Sequence, residues 1–470
     1  MTELINSYPD FSGSFVDKRI DKRAGEVLRS LTMGRTSSLR QVTKSDAEQK
    51  SFYRLFNNES FTEEGIKRSI VSRCGELCSG RHVLCIQDTT EFNLTKQRGR
   101  LQPDSGLGRT GKDDVLGFML HSSLVIDAGK STALGYSYIK TWHREEGAPD
   151  RHERNYKQLP VEQKESYKWI EAAKQSQELL TNADAITIIA DRESDIYDLL
   201  ACDFGEHTYL LLRSNFNRLL ASGKKLCAHL NDFPVMHQYE LEVRGDVRKK
   251  MCKRKASMEL KWDKIALVKP QSCQDDTLPD VKEVYVVEAK EKKANGILWR
   301  IYTTHPVTTA QQALQIIQWY KQRWYIEQIH RLLKTDGFRI ERSQLEQGWA
   351  IRKLTLLAMM STIRILQMML AYEDDAEQQL IEEVFNKEEQ QCLQIINDKM
   401  EGQTDKLKNT ADIKTLKWAT WVIARLGGWK GYKSQRKPGP IVLQKGLGKF
   451  YLVFEGWRMY QNFEKDVSTQ

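Results

Sequence analysis

The chain has 470 residues, 40% of them apolar, which is enough for two or three domains around a large core and sets it among globular proteins. Its formal charge of +9 and pI near 8.9 fit an anionic partner such as nucleic acid, yet the excess is modest for this length, so charge placement matters more than the total. Met1 to Ser12 lacks a basic segment followed by an apolar one, eight cysteines are scattered as reduced thiols, and the longest apolar stretch, Leu354 to Tyr372, is interrupted by Arg364 and Gln367. A cytoplasmic protein with no membrane span and no disulfide framework is expected.

In chain order, Phe15–Leu31, Asp46–Phe56 and Phe61–Cys78 read as three short helices of an N-terminal module covering residues 1–79. The first opens with Asp17-Lys18-Arg19-Ile20-Asp21-Lys22-Arg23, where Arg19 and Arg23 are candidates to grip phosphates, against the alternative of an ordinary salt-laced helix start. Cys74, Cys78, His82 and Cys85 are four metal-ligand types within twelve residues. The spacing disfavours zinc, because two lie on a helix and two on the next strand, which would have to unpair.

That strand, Arg81 to Gln87, is an apolar run followed by Asp88-Thr89-Thr90. Arg98 to Asp114 is rich in Gly and Arg, and Gly106 to Lys112 nearly spells a phosphate-cradling loop. Asp113 stands where Ser or Thr is needed, however, and a strand follows in place of a helix, so a mobile basic loop over DNA is expected instead. Leu116–Ile126 and Thr132–Lys140 alternate as a hairpin, Ser166–Leu180 is helical, and Ala185–Ala190 is a buried strand ending in Asp191. Arg192-Glu193-Ser194-Asp195 then opens a short helix, and a fifth strand spans His207 to Arg213. A three-stranded meander, then helix, strand, helix, strand, with acids after the first and fourth strands, predicts an α/β fold with a ribonuclease-H-like catalytic core, residues 80–350.

From about 215 to 295 the chain turns polar and β-rich, with strands expected at Tyr239–Val243, Ala256–Trp262 and Glu283–Ala289. Seven of the twelve residues from Arg244 to Lys255 are basic, which makes Arg248, Lys249 and Lys250 candidates for DNA contact. Ile297–Tyr302 returns to the core sheet, and Thr308 is placed to cap a long helix. Helical residues Ile351–Tyr372, Ala376–Glu388 and Thr415–Leu426 follow in a C-terminal region, residues 351–470.

Trp319 to Lys334 contains no Gly or Pro and reads as part of that long helix. At about 100° per residue, Tyr320, Arg323, Glu327 and Lys334 share an arc of roughly 60°, while Trp319, Tyr325, Ile326, Ile329, Leu332 and Leu333 cover the other side. One carboxylate among cations and a phenol suits a metal ion beside phosphates. Trp324 lies next to the polar stripe, so core packing does not explain it.

The order Tyr320, Arg323, Glu327, Lys334 resembles the signature of the insertion-sequence-4 family of bacterial DDE transposases, of the Tn-5 type. Asp88-Thr-Thr and Asp191-Arg-Glu-Ser-Asp-Ile resemble the motifs around that family's two aspartates, with Glu91 departing from the small polar residue expected there. The resemblance implies a catalytic, metal-holding triad of Asp88, Asp191 and Glu327, two Mg²⁺ ions per site with Mn²⁺ able to substitute, and an N-terminal region that recognises the transposon end. It also implies DNA contacts by Tyr320, Arg323, Lys334, Arg213, Arg331 and Arg342, and stacking of a displaced base on Trp299 or Trp324. Ile423 to Trp429 resembles a segment of the region that builds the family's dimer, and Trp429, Tyr451, Phe454 and Trp457 are expected to offer apolar surface for it. The expected activity is cut-and-paste transposition through a hairpin intermediate, on terminal inverted repeats and target DNA. The rivals are a nuclease of the same fold without strand transfer, and a DNA-binding protein that has lost its chemistry.

Overall fold

The computed structural model describes residues 11–34, 36–111, 115–145, 159–243, 252–334, 337–373, 379–402, 407–432 and 435–468, with side chains to 461 in the last of these. In chain order the elements are α1 (Lys18–Gly34), α2 (Leu39–Val42), α3 (Asp46–Phe56), α4 (Glu63–Leu77), β1 (His82–Asn93), β2 (Gly108–Arg109), β3 (Leu116–Asp127) and β4 (Ala133–Trp142). Then come α5 (Tyr167–Leu179), β5 (Ala185–Ala190), α6 (Tyr197–Ala201), β6 (Thr208–Arg213), α7 (Leu226–Asp232), β7 (His237–Val243), β8 (Arg254–Val268), β9 (Val281–Glu291) and β10 (Leu298–Thr303). The chain closes with α8 (Ala310–Lys321), α9 (Trp324–Lys334), α10 (Gly348–Ala371), α11 (Lys387–Met400), α12 (Leu416–Leu426) and α13 (Pro440–Ser468). Contacts divide it into two compact units: Met1–Arg81, Thr89–Gly147 and Tyr325–Gln470 form the first, and His82–Asp88 and Ala148–Trp324 the second.

The first unit is mainly helical around α10, whose length and apolar composition would let it cross a membrane, but 83% of its apolar window is buried inside the protein, as expected of a core helix. Lys353 on that helix is buried and donates to the carbonyls of Phe56 and Asn58 at 3.2 Å, satisfying the carboxyl-terminal end of α3 while burial holds its ammonium below the usual lysine range. Gly427, after α12, and Gly446, on α13, lie where a Cβ would meet Val442 O at 2.1 Å and Ile423 O at 1.7 Å, so the two helices touch backbone to backbone. β3 and β4 form the expected hairpin beside the Thr89–Asn93 half of β1, where the rings of Phe92 and Phe118 stack at 4.8 Å.

The second unit is a mixed sheet. Strands β1, β5 and β6 run parallel, and β10, β9, β8 and β7 continue antiparallel from β6. A meander, then helix, strand, helix and strand, is the ribonuclease-H-like α/β class, with a β-rich insertion between β6 and β10.

Several expectations are corrected. β1 does not stop at Gln87 but runs to Asn93, because Thr90 and Phe92 alternate into the interior and keep the strand half-buried. Thr309, not Thr308, caps α8, exchanging hydrogen bonds with Gln312 in a capping box. The long helix is two helices interrupted at Gln322 and Arg323. α8 buries Ala313, Ile316, Ile317 and Tyr320, whereas α9 buries Tyr325, Ile326, Ile329, Leu332 and Leu333. At about 100° per residue those stripes fall on opposite sides of any single helix, so one straight helix could not bury both. Ala376–Glu388 is not one helix: among its described residues a 3-10 turn at Ile381–Glu383 precedes α11, which begins at Lys387. The loop from Arg98 to Gly111 is docked, since Trp349 N donates to Ser105 O at 2.7 Å and Gln102 N to Glu346 O at 2.9 Å; residues 112–114 lie outside the described set.

Candidate active site

The register of the parallel strands sets the geometry. The pairing of β1 with β5 ends at Ile86 and Ile189, and Asp88 and Asp191 each follow by two residues, so both carboxylates stand at the carboxyl-terminal ends of adjacent parallel strands. Ala190 pairs with Leu212, so Asp191 in turn stands opposite Arg213. A carboxylate, a second carboxylate and a guanidinium thus form a row across the carboxyl-terminal edge of three adjacent strands. This edge is where ligands meet open α/β sheets.

Each member is held by a local device. Asp191 caps the turn Arg192–Ser194, its Oδ1 accepting from Glu193 N at 2.9 Å. Arg213 donates to Leu298 O at 3.3 Å. Asp88 is 16% exposed, and the Arg323 guanidinium approaches its Oδ2 to 3.5 Å from the turn after α8. Tyr320, one helical turn earlier, is buried; burial pushes its phenol above the usual range, while the Arg323 and Arg213 guanidiniums oppose that rise and Asp191 adds to it. The phenol is therefore a neutral hydrogen-bonding group at physiological pH, close to both arginines and to one aspartate.

Toward the amino-terminal ends of the same strands lies a tight aromatic layer. The Thr187 hydroxyl sits 2.8 Å from Nε2 of both His82 and His305, and Trp319 packs its ring 5.0 Å from each imidazole. The Thr187 hydroxyl can donate to one imidazole at most, and the histidine tautomers set the direction of each bond. This layer removes His82 from any zinc site, and Cys74 and Cys78 face each other at 3.9 Å in the first unit. Among the described residues, no three His, Cys, Asp or Glu side chains are grouped closely enough to hold a metal ion.

The remaining candidates are distributed as follows. Glu327 is in the first turn of α9, half-buried, with its apolar neighbours packed in the first unit. Trp324 begins that helix and is 39% exposed, so it does not belong to the core, as its place beside the polar stripe implied. Trp299 is half-buried on β10. Lys334 places its ammonium 5.6 Å from the centre of the Phe92 ring, Arg331 is exposed on α9, and Arg342 is exposed on a 3-10 turn. Arg19 pairs with Asp17 at 2.9 Å and Arg23 with Glu26 at 2.6 Å, the salt-laced alternative for that helix start, although Lys18 and Lys22 remain exposed. Arg248, Lys249 and Lys250 lie outside the described residues. Sequence reasoning missed Asp195, Phe216 and Arg218; the signal was the second acid in Asp191-Arg-Glu-Ser-Asp195, four residues after the first.

The transposase DDE domain model matches residues 136–363, a stretch that includes Asp191 and Glu327 and begins after Asp88, and the transposase DNA-binding model matches residues 12–61, which hold α1 to α3. Among solved structures, the piggyBac transposase synaptic complex with hairpin DNA, determined by cryo-EM, is similar over 77% of this chain and 73% of its own, with a TM-score of 0.37 and 9% identity. The chain is a DDE transposase with an N-terminal DNA-binding domain. A DDE domain behind a DNA-binding domain is the arrangement that the resemblance to the insertion-sequence-4, Tn-5-like family implied.

Proposed function

We propose that the chain performs cut-and-paste transposition, with Asp88, Asp191 and Glu327 as its catalytic acids. The observation that carries this reading is the row of Asp88, Asp191 and Arg213 fixed by strand register at one sheet edge. Carboxylate oxygens are the hard donors that Mg²⁺ takes, and Asp88 and Asp191 stand at the ends of neighbouring strands, so these residues would hold a divalent ion; Glu327 is the third carboxylate that the resemblance implies. Bound there, the ions supply Lewis acidity to the attacking and leaving oxygens of a phosphodiester.

The chain's own groups do the positioning. Arg213 and Arg323 are bidentate phosphate donors at the edge, Tyr320 offers a neutral hydroxyl beside them, and Lys334 adds a point charge. The proposed sequence is hydrolysis that frees a 3′ hydroxyl at the transposon end, formation and opening of a hairpin, and attack of the same hydroxyl on target DNA. Trp299 and Trp324 are proposed to receive the base displaced at the hairpin step. Synapsis needs two ends and therefore two chains, and the C-terminal region is proposed to join them, in a protein working on DNA in the cytoplasm. Trp429, Tyr451 and Phe454 are buried in their own unit and do not form that surface; Leu452, Val453, Met459 and Tyr460 on α13 are the exposed apolar residues available to it.

The test incubates the full-length chain with DNA carrying the repeats that flank its gene, in Mg²⁺, and resolves the products. Joined strands and hairpins support transposition. Cleaved ends without joining would leave a nuclease of the same fold, the one rival that the intact acids also favour.

A further inference from the structure

Asp195 is 2% exposed, and its carboxylate accepts the backbone N–H of Asn215 at 2.7 Å and of Phe216 at 2.9 Å, together with the Arg218 guanidinium at 2.6 and 2.8 Å. Arg218 also donates to Asp195 O at 2.7 Å, and its side chain is 8% exposed. Up to Ser214 the chain pairs with β10, Ser214 N donating to Arg300 O at 2.8 Å. The next two amides are diverted into Asp195, so sheet pairing stops and the chain turns outward.

What the turn presents is Phe216, 56% exposed, with the Arg218 guanidinium 5.5 Å from its ring centre. A buried ion pair loses hydration that its attraction barely recovers, and an exposed phenyl ring gains nothing from burial, so folding alone does not account for the combination. The ring follows Arg213 by three residues, on the strand next to Asp191. Leu298, the first residue of β10, is also exposed, at 37%.

We propose that Phe216 stacks on a nucleobase of the DNA being cut, and that Asp195 and Arg218 are positioning residues that hold the ring out at the active edge. The inference rests on the DNA-cleaving reading. A phenyl face takes any base, and the paired Arg218 side chain behind the ring fixes its position. A held ring loses little conformational freedom on binding, which is what a stacking platform requires.

The test titrates full-length protein into a single-stranded twelve-nucleotide DNA of mixed sequence carrying 2-aminopurine, and into the same sequence as a duplex. Phe216→Ala is expected to weaken strand binding about 5- to 150-fold, the range for one stacked base, with duplex affinity changed less than about twofold, and Phe216→Trp to restore it. Asp195→Asn is expected to weaken strand binding in the same direction, and where that variant does not fold the Phe216 pair decides. Strand affinity of Phe216→Ala within about twofold of the wild type would overturn the inference alone, leaving the transposase reading intact. A wild-type chain that binds neither strand nor duplex overturns that reading, and the stacking role with it.

Discussion

On the outer sheet of the insertion, cations stand across from carboxylates: Lys255 meets Glu240 at 2.9 Å, Lys253 meets Glu242 at 2.8 Å and Lys264 meets Glu283 at 2.7 Å. At the carboxyl-terminal edge of β1, β5 and β6, by contrast, the row runs acid, acid, base, and like charges are neighbours. The first arrangement neutralises itself one strand at a time and is exposed to water. In the second, two carboxylates on adjacent strands repel each other, an arrangement the fold keeps only by fixing the backbone beneath it and setting Arg323 against one of them. Charge density does not separate a working site from a solvated face. What separates them is arrangement: opposite charges face each other across the outer sheet, whereas two acids end neighbouring strands at the edge.

The comparison is broken most severely at the acids. Asp88→Ala, Asp191→Ala and Glu327→Ala should each lower DNA cleavage at least about a hundredfold, since several kcal/mol of transition-state stabilisation depends on bound cations, while binding to DNA stays within about twofold because phosphate contacts dominate affinity. A variant keeping a tenth of wild-type cleavage leaves the triad. Next in size is Asp195→Ala, which leaves a buried guanidinium unpaired and should destabilise the protein by about 3–5 kcal/mol in denaturant titration. A loss as small as that from Lys255→Ala would mean the pair is as wet as the outer sheet.

Trp299→Ala and Trp324→Ala should slow hairpin formation by about 1–3 kcal/mol and nicking by much less, because stacking counts only once a base has left the duplex. Equal slowing of both steps points to damaged packing. The aromatic layer gives a pH signature. His305 is held down to about 3, by burial first and by His82 second, against 6.5 when unfolded. Its folded pKa is the lower one, so its contribution is complete above about 6.5 and is lost as pH falls from there toward about 3. The wild type should therefore lose more stability between pH 7.5 and 5.0 than His305→Phe, and equal losses would show that the imidazole charges in place. Smallest of all, Lys255→Ala and Glu240→Gln should leave the thermal midpoint within about 1 °C, as is usual for exposed pairs. A larger shift would make the outer sheet's ladder structural after all.

The sequence by itself determined what local pattern controls. The hairpin of β3 and β4, the apolar run of β5 and the buried α10 follow from alternation and hydrophobic length, and the motifs around residues 88, 191 and 320–334 were sufficient to recognise a DDE transposase. Trp324 was legible as a residue outside the core because its phase contradicts its apolarity. Tertiary structure decided the rest, for reasons that no local window contains. Nothing between Trp319 and Lys334 marks a break; the helix divides because its two apolar stripes pack in different units. Asp195 looks like any acid opening a short helix, and only the return of Asn215, Phe216 and Arg218, some twenty residues later, makes it the anchor of a loop. The row at the active edge is likewise a product of register, since Asp88, Asp191 and Arg213 are far apart in the chain and meet only because parallel pairing aligns the ends of three strands.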